Sequence, residues 1–483
     1  MAGRFVDEGL AAGHRIRDRS SISAPARVVH TPVIIVGAGI AGLSAAWWLD
    51  RRGFRDFLLL ELERQPGGNA RWSENEVTAF PWGAHYVPVP GRRARYVRAL
   101  FEDLGVLRDG RWEERHLCHS PQERLFLHGR WQEGLEPEVG LTAGDREQFR
   151  RFHSLMAEFR STGAFAVPME AGDAGRFASL DRLSMAAWMA ARKFDSPYLD
   201  WYAGYACRDD YGCLPPEVSA WAGIHYFAAR EPQEKGPLTW PEGNGWIVRR
   251  LLEKLGGRLR VGDPVRRILR RGSRLAVRTE TTEYVCDAAI FAAPTFLAPY
   301  VLEDAPAVSG FHYSPWLVAN LTLDRLPRER GLAPCWDNVL YDSPALGYVV
   351  ATHQSLRTHV DRTVWTYYWA LAGDPPARGR ALLLEKDWTW WKEAILADLE
   401  RAHPDIRQAV ARIDILRLGH AMIRPGPGFL FSQSRRRLAQ AQGPVLFANS
   451  DLSGLPLFEE ANYRGVRAAD LALARLGGTP AIR

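Results

Sequence analysis

The chain has 483 residues, 46% of them hydrophobic and 24% charged, so it exceeds one ordinary core, and this composition argues against extensive disorder. We therefore predict two or three domains. The net charge of +6 comes from arginines dispersed along the chain, and no motif of clustered basic and aromatic residues indicates a nucleic-acid partner.

The cysteines and the apolar runs indicate the cellular compartment of the protein. The five cysteines are odd in number and contain no CxxC pair, which argues against a disulfide framework or a metal site. This usage favours a reducing compartment, so we expect a cytoplasmic protein. Residues 1–30, an N-terminal arm, show no signal peptide, and no apolar run reaches the ~18 residues of a transmembrane helix. Peripheral membrane contact stays open.

The first predicted strand covers residues 32–36 and leads directly into a glycine-rich turn, GAGIAG, at 37–42. Its continuous β-branched composition is typical of a strand buried in a parallel sheet. Gly37 permits the tight turn, Gly39 lets the backbone approach a pyrophosphate, and Gly42 lets the next helix pack closely. The helix N-terminus offers unpaired N–H groups to phosphate. The pattern predicts a dinucleotide-binding fold.

A second predicted strand, residues 57–61, ends at Glu61, which lies 24 residues after Gly37. A carboxylate at this spacing can accept the hydroxyl groups of an adenosine ribose, and it disfavours a ribose that carries a 2′-phosphate. These features leave FAD and NAD as alternatives, and the residues after Glu61 decide between them.

Those residues resemble the extended fingerprint of the flavin-containing amine oxidase and phytoene desaturase superfamily. In that family an acid, a short basic spacer and a Gly-Gly pair follow the glycine turn, as residues 61–68 do here. Further blocks that resemble family motifs, in chain order, are residues 82–87, 238–246, 265–268, 288–294, 445–451 and 459–469. Asn69 and Glu460 depart from the usual arginine and glycine. The resemblance implies bound FAD.

The resemblance also implies the fold class, which is α/β. A Rossmann-type FAD-binding domain would carry a discontinuous second substrate domain of antiparallel sheet plus helices. The expected segments are the arm at 1–30, the FAD-binding domain at 31–110, 238–300 and 411–483, and the substrate domain at 111–237 and 301–410.

Local patterns within the substrate segments agree with that expectation. Apolar runs separated by turn residues predict antiparallel strands at 316–323, 336–341, 346–352 and 363–369. Helical spacing predicts helices over 145–158, 184–192 and 381–402.

The resemblance implies which residues contact FAD. They are Gly37, Gly39, Ile40, Ala41, Gly42, Glu61, Gly67, Gly68, Arg71, Gly83, Ala84, His85, Val265, Asp451 and Phe458. His85 and Tyr86 are the candidate catalytic residues, because the motif places them beside the flavin; for His85 a structural hydrogen bond is the alternative. The closing stretch 443–463 contains no cysteine or histidine, so we expect non-covalent FAD.

Three functions stay open. The first is hydride transfer from a small-molecule amine or polyamine to flavin N5. The second is a desaturase, isomerase or saturase that acts on an isoprenoid or other apolar lipid, and the third is a flavin-binding protein without turnover. Many amine oxidases carry a lysine on the strand after the A-x-P segment and an aromatic residue on the closing loop, whereas residues 314–321 contain no lysine and Leu457 occupies the loop.

A stretch rich in aromatic residues, 201–212, contains the adjacent charges Arg208, Asp209 and Asp210. Such a group can bind a polar substrate, or it can form an internal salt bridge that fixes a loop. The sequence leaves both interpretations open.

Overall fold

The computed structural model describes residues 1–7, 9–230, 236–329, 331–355, 357 and 359–478. Its strands, in chain order, are β1 (Ala2–Phe5), β2 (Arg27–His30), β3 (Val33–Val36), β4 (Phe57–Leu60), β5 (Trp72–Glu74), β6 (Ala79–Pro81), β7 (Tyr86–Val87), β8 (Leu107–Arg108), β9 (Arg111–Trp112), β10 (Glu123–Leu127), β11 (Arg130–Glu133), β12 (Leu238–Thr239), β13 (Leu259–Arg260), β14 (Arg267–Arg271), β15 (Arg274–Arg278), β16 (Thr282–Cys286), β17 (Ala288–Phe291), β18 (Tyr313–Leu323), β19 (Asp337–Leu340), β20 (Tyr348–Val350), β21 (Thr363–Ala370), β22 (Val410–Ile423) and β23 (Val445–Phe447).

Helices connect and cover these strands. They are α1 (Leu10–Arg17), α2 (Ile40–Arg51), α3 (Arg95–Asp103), α4 (Ala143–Ser161), α5 (Met185–Ala191), α6 (Pro197–Tyr211), α7 (Ala220–Ala228), α8 (Gly245–Leu255), α9 (Ala298–Val301), α10 (Pro376–Glu385), α11 (Trp388–Glu400), α12 (Ile406–Ala409), α13 (Gln433–Ala439) and α14 (Phe458–Arg475). Among the described residues, no helix is long and apolar enough to cross a bilayer.

Five parallel strands form the first layer, in the order β13-β4-β3-β17-β23. Val33 and Ile35 of β3 pack with the helices on one face, and Ile34 packs with the sheet β14-β15-β16-β2 on the other. Burial on both faces is the reason why β3 is continuously apolar. Helix α14 covers α2 so closely that a Cβ on Gly465 would lie 2.1 Å from the carbonyl oxygen of Ala41.

An eight-stranded sheet forms the second layer, in the order β1-β22-β18-β21-β20-β19-β10-β11. Its pairs are antiparallel except for β1 with β22 and β10 with β19. Every residue of β18 is buried, because α10 and α11 pack on one face while the other face turns toward the first layer. Helices α4 to α7 build a separate core that includes Trp188 and Trp221.

Most of the expected elements are present with shifted ends, and the mixed α/β class is confirmed. The prediction of one helix over 381–402 is wrong, because α10 ends at Glu385 and α11 begins at Trp388. The carboxylate of Asp387 caps the second helix by accepting a hydrogen bond from the amide of Trp390 at 2.8 Å. The stretch 201–212 is helix α6 rather than a loop.

Candidate functional site

One cavity of about 630 Å³ is lined by residues of both layers. Apart from Gly42, every residue that the sequence assigns to the cofactor lines it, from Gly37 to Phe458. The two candidate catalytic residues, His85 and Tyr86, line it as well. The cavity therefore brings the predicted cofactor and catalytic residues together in one space.

The glycines of the first turn serve different purposes. A Cβ on Gly42 would lie 1.9 Å from the carbonyl oxygen of Gly37, so the turn itself needs glycine at this position. Gly42 faces the backbone of the turn and does not line the cavity. Gly39 has φ −74°, which any residue adopts, and a Cβ there would meet only the Cα of Gly68, at 4.0 Å. Nothing in the described fold requires glycine at 39. The open space at the N-terminus of α2 fits a pyrophosphate.

Glu61 lines the cavity directly after β4 and is held by two backbone amides. Its Oε2 accepts a hydrogen bond from the amide of Ala38 at 2.7 Å, and its Oε1 accepts one from the amide of Glu63 at 3.0 Å. Burial raises the pKa of this carboxyl. Arg71 pairs with Glu63 and donates to the carbonyl of Gly68 at 3.0 Å, so Glu63 already balances the arginine charge.

The C-terminal part of the site is fixed by Asp451. Its Oδ2 accepts hydrogen bonds from the amide of Thr295 at 2.9 Å and from the hydroxyl of Tyr313 at 2.6 Å. Phe458 begins α14 and stacks on Phe101 with a centroid distance of 6.1 Å. Asp451 thus ties the closing segment to the chain that follows β17, and Phe458 packs against its neighbour while it lines the cavity.

His85 is half-buried beside a stack of rings. Its ring centroid lies 4.6 Å from that of Tyr368 and 5.5 Å from that of Trp336. Burial lowers its pKa to about 4, so the imidazole is neutral at neutral pH. Its Nδ1 lies 3.4 Å from the carbonyl oxygen of Gly83, a contact that favours the proton on Nδ1 and leaves Nε2 as an acceptor.

Three half-buried carboxyl groups, which we call the acid cluster, lie near Tyr86 and Tyr205. They are Glu123, Asp209 and Asp337. Glu123 and Asp337 stand directly opposite each other on the parallel strands β10 and β19. Burial raises the pKa of all three, that of Asp209 to about 7, and the charges of Glu123 and Asp209 raise the pKa of Asp337 further. The surroundings of the acid cluster therefore disfavour its negative charge.

Neutral hydroxyl groups contact the acid cluster. Tyr86 donates to Asp209 at 3.3 Å, and Tyr205 lies 3.5 Å from Oδ2 of Asp337. The nearby cation Arg230 is already bound to Asp210, at 3.1 Å. A cation that entered the cavity would therefore meet carboxyl groups backed by aromatic rings, which is a favourable environment for an ammonium group.

In the charged stretch 201–212, the structure shows a different role for each of the three adjacent charged residues. Arg208 donates to the backbone carbonyls of Ser343 and Pro344, both at 3.1 Å, and so has a structural role. Asp210 forms the ion pair with Arg230, while both Asp209 and Asp210 line the cavity.

Sequence reasoning missed Glu123, Asp337 and Glu459. Burial raises the pKa of Glu459 to about 7 in the first turn of α14, where it lines the cavity. A single sequence gives no signal for the first two, because they meet only through pairing of β10 with β19. For Glu459 a signal existed, since it adjoins Phe458 in the closing motif.

Comparison with known proteins agrees with this geometry. A family model described as flavin-containing amine oxidoreductase matches residues 40–473. A hydroxyneurosporene desaturase of Cereibacter sphaeroides is 29% identical over 284 residues, covering 51% of this chain and 52% of that protein. A probable flavin-containing monoamine oxidase A of Dictyostelium discoideum is 23% identical over 300 residues, covering 59% of each. The matches span little more than half the length of these relatives.

Solved structures share the fold at low sequence identity. Wild-type putrescine oxidase bound to putrescine superposes with a TM-score of 0.69 at 17% identity, covering 92% of this chain and 100% of that one. A fatty acid isomerase of P. acnes that produces CLA superposes with a TM-score of 0.63 at 15% identity, covering 90% of this chain and 97% of that one. At such identities the likeness establishes a common fold.

Proposed function

This chain belongs to the family of flavin-containing amine oxidoreductases, and from that membership we propose that it is an FAD-dependent oxidase of a cationic amine. FAD is the cofactor, and when bound it supplies the hydride acceptor at N5. The observation that carries the amine assignment is the acid cluster. Its three carboxyl groups form no ion pair with a cation among the described residues, where the nearby Arg230 is paired with Asp210. Desolvated carboxyl groups of this kind suit an ammonium ligand and oppose an apolar lipid.

We assign the five-stranded parallel layer to a Rossmann-type FAD-binding domain and the eight-stranded layer to the substrate domain. The boundaries are those expected from the sequence, except that β22 (Val410–Ile423) pairs within the eight-stranded sheet and would therefore move the last boundary from residue 410 to residue 423. Gly39 and the N-terminus of α2 would hold the pyrophosphate, Glu61 the ribose and Val265 the adenine. Gly83 and Ala84 would lie along the isoalloxazine. The open space at Gly39 and the position of all these residues around one cavity support this assignment.

The chain's own residues would bind the amine and take its proton. The acid cluster attracts the ammonium group, and the rings of Tyr86, Trp336 and Tyr368 exclude water around it. An amine can give up a hydride only as the free base, so one proton must leave it first. Oδ2 of Asp209 and Nε2 of the neutral His85 are the two proton acceptors that we assign to this step.

The proposed substrate can be tested by anaerobic mixing of the holoenzyme with candidate compounds. We expect a diamine such as putrescine to bleach the flavin absorption band after anaerobic mixing. An uncharged isoprenoid should leave the absorption band unchanged. Bleaching by an isoprenoid alone would instead support the desaturase function that two of the relatives carry by name. A flavin that no compound reduces would identify a binding protein without turnover.

The reaction should depend on pH through Asp209. Burial raises its pKa to about 7, so its charge, and with it kcat/KM for a cationic amine, should rise as the pH increases from 6 to 8. Because this folded pKa lies above the ordinary value of 3.8, the same group should lower the free energy of unfolding as the pH rises from about 4 to about 7 and leave it level at higher pH. The plot of kcat/KM against pH for Asp209→Asn should lack the rise between pH 6 and 8. A plot that keeps this rise would argue against Asp209 as the titrating group.

We expect non-covalent FAD, because the stretch 443–463 contains no cysteine or histidine. Precipitation with acid should release the yellow colour into the supernatant. A yellow pellet would contradict this and would point to His85 or His420, both of which line the cavity. All five cysteines are buried and unpaired, which supports our proposal of a cytoplasmic location.

A further inference from the structure

The N-terminal arm, residues 1–7 and 9–30, precedes the family match, which begins at residue 40. It nevertheless forms ordered structure: strand β1, helix α1 and strand β2. β1 pairs with β22 in the eight-stranded sheet, whereas β2 pairs with β16 in the sheet that packs on the parallel layer. The arm thus spans from one layer of the protein to the other.

Its first attachment is a clamp on Arg417 of β22. The guanidinium carbon of Arg417 lies 3.8 Å from the ring centroid of Phe5, and its Nε donates to Oδ2 of Asp7 at 2.8 Å. The side chains of Asp7 and Arg417 are only 12% and 16% exposed. An ion pair that is shielded to this extent and also stacked on a ring holds the arm more firmly than an exposed pair would.

Its second attachment is to Arg266, which directly follows the cavity-lining Val265. Arg266 donates to the carbonyl of Arg15 at 3.1 Å and to that of Ser20 at 2.9 Å. These contacts fix the C-terminal end of α1, and Arg278 donates to the carbonyl of Ser23 at 3.0 Å. Residues 9–14 therefore lie between two anchored points of the arm.

That segment crosses the cavity at its expected adenosine end. Asp7, Gly9, Leu10 and Ile16 line the same cavity as Glu61 and Val265. Ile16 is 4% exposed and packs in one cluster with Val36, Leu60 and Val265. Gly9 lies against Glu63, since a Cβ on Gly9 would lie 2.3 Å from Oε1 of that side chain.

We propose that the N-terminal arm is a strap that forms the outer wall of the adenosine subsite and retains FAD in the protein. The inference rests on the proposed FAD site, but not on the identity of the substrate. FAD can leave through this side only when the arm detaches from β22. The ion pair between Asp7 and Arg417 therefore sets the rate of FAD release.

The test compares Asp7→Ala with a matched control, Asp18→Ala. Asp18 lies in the same arm but forms its ion pair with the neighbouring Arg17, and both side chains are more than half exposed. We expect Asp7→Ala to release FAD roughly tenfold faster upon dilution, as followed by flavin fluorescence, and to weaken FAD and ADP binding to the apoprotein by similar factors. Asp18→Ala should have the same rate of FAD release and the same affinity for FAD and ADP as the protein without a substitution.

A second measurement does not depend on a substitution. Trypsin can cut the arm after Arg15, Arg17 or Arg19. If the arm covers the cofactor, trypsin should cut it at least about fivefold more slowly in the holoprotein than in the apoprotein. Equal cleavage rates, or equal FAD release from Asp7→Ala and the unchanged protein, would overturn the proposal. Neither readout involves turnover, so failure of the amine assignment would leave the result interpretable.

Discussion

Replacing Gly39 with valine is expected to weaken FAD binding strongly without unfolding the protein. The backbone at 39 has φ −74°, which valine can adopt, and the new Cβ would meet only the Cα of Gly68, at 4.0 Å. It would instead fill the space that we assign to the pyrophosphate. A loss of about 3 kcal/mol in phosphate contacts corresponds to a roughly 100-fold weaker Kd. Calorimetric titration of the apoprotein with FAD measures the change.

Two other glycines provide the controls. Gly91→Val introduces the same side chain where nothing lies within 4 Å, so FAD affinity and melting temperature should both stay unchanged. Gly42→Val should destabilise the apoprotein itself, because its Cβ would lie 1.9 Å from the carbonyl oxygen of Gly37. If Gly39→Val bound FAD normally, the pyrophosphate would have to lie elsewhere.

Replacing Asp337 with asparagine is expected to raise KM for a cationic amine by about 100-fold, while kcat falls much less. The reason is that the loss of one partner of a desolvated charge pair costs roughly 2–5 kcal/mol of binding free energy. The substitution keeps the shape of the side chain and its contact with Tyr205. It should also raise the melting temperature of the substrate-free protein, since it removes a desolvated carboxyl group whose charge is opposed by Glu123 and Asp209. Steady-state kinetics and thermal unfolding test the two effects.

The matched control is Asp342→Asn, five residues further along the chain, where the side chain is 78% exposed. We expect no change in KM or in melting temperature there. A variant Asp337→Asn with unchanged KM would show that the acid cluster does not bind the ammonium group. A neutral substrate analogue should bind the unchanged protein and Asp337→Asn about equally well.

Part of the cofactor side of the cavity could be predicted from local sequence because its residues follow one another along the chain, whereas Val265, Asp451 and Phe458 were found only through the family resemblance. The turn from Gly37 to Gly42 and the acid Glu61 belong to a single strand–helix–strand unit, so their spacing encodes their geometry. The open space at Gly39 shows the physical basis of that pattern, since no protein atom occupies it.

The substrate side could not be predicted in the same way. Glu123 and Asp337 are far apart in sequence and meet only because β10 and β19 pair in register. Asp209 was singled out with Arg208 and Asp210, but the sequence could not show that Arg208 would bind backbone carbonyls and leave Asp209 facing the cavity. Tertiary pairing therefore determines the substrate chemistry, and local patterns determine the cofactor.

The parallel layer also has a consequence for biosynthesis. β3 pairs with β17, and α2 is covered by α14, whose residues 458–475 are made more than 400 residues later. Because non-local contacts of this kind form slowly, the apolar face of α2 should stay exposed on the ribosome for most of translation. Nascent chains are thus expected to engage chaperones, and FAD to be captured only after α14 has been synthesised.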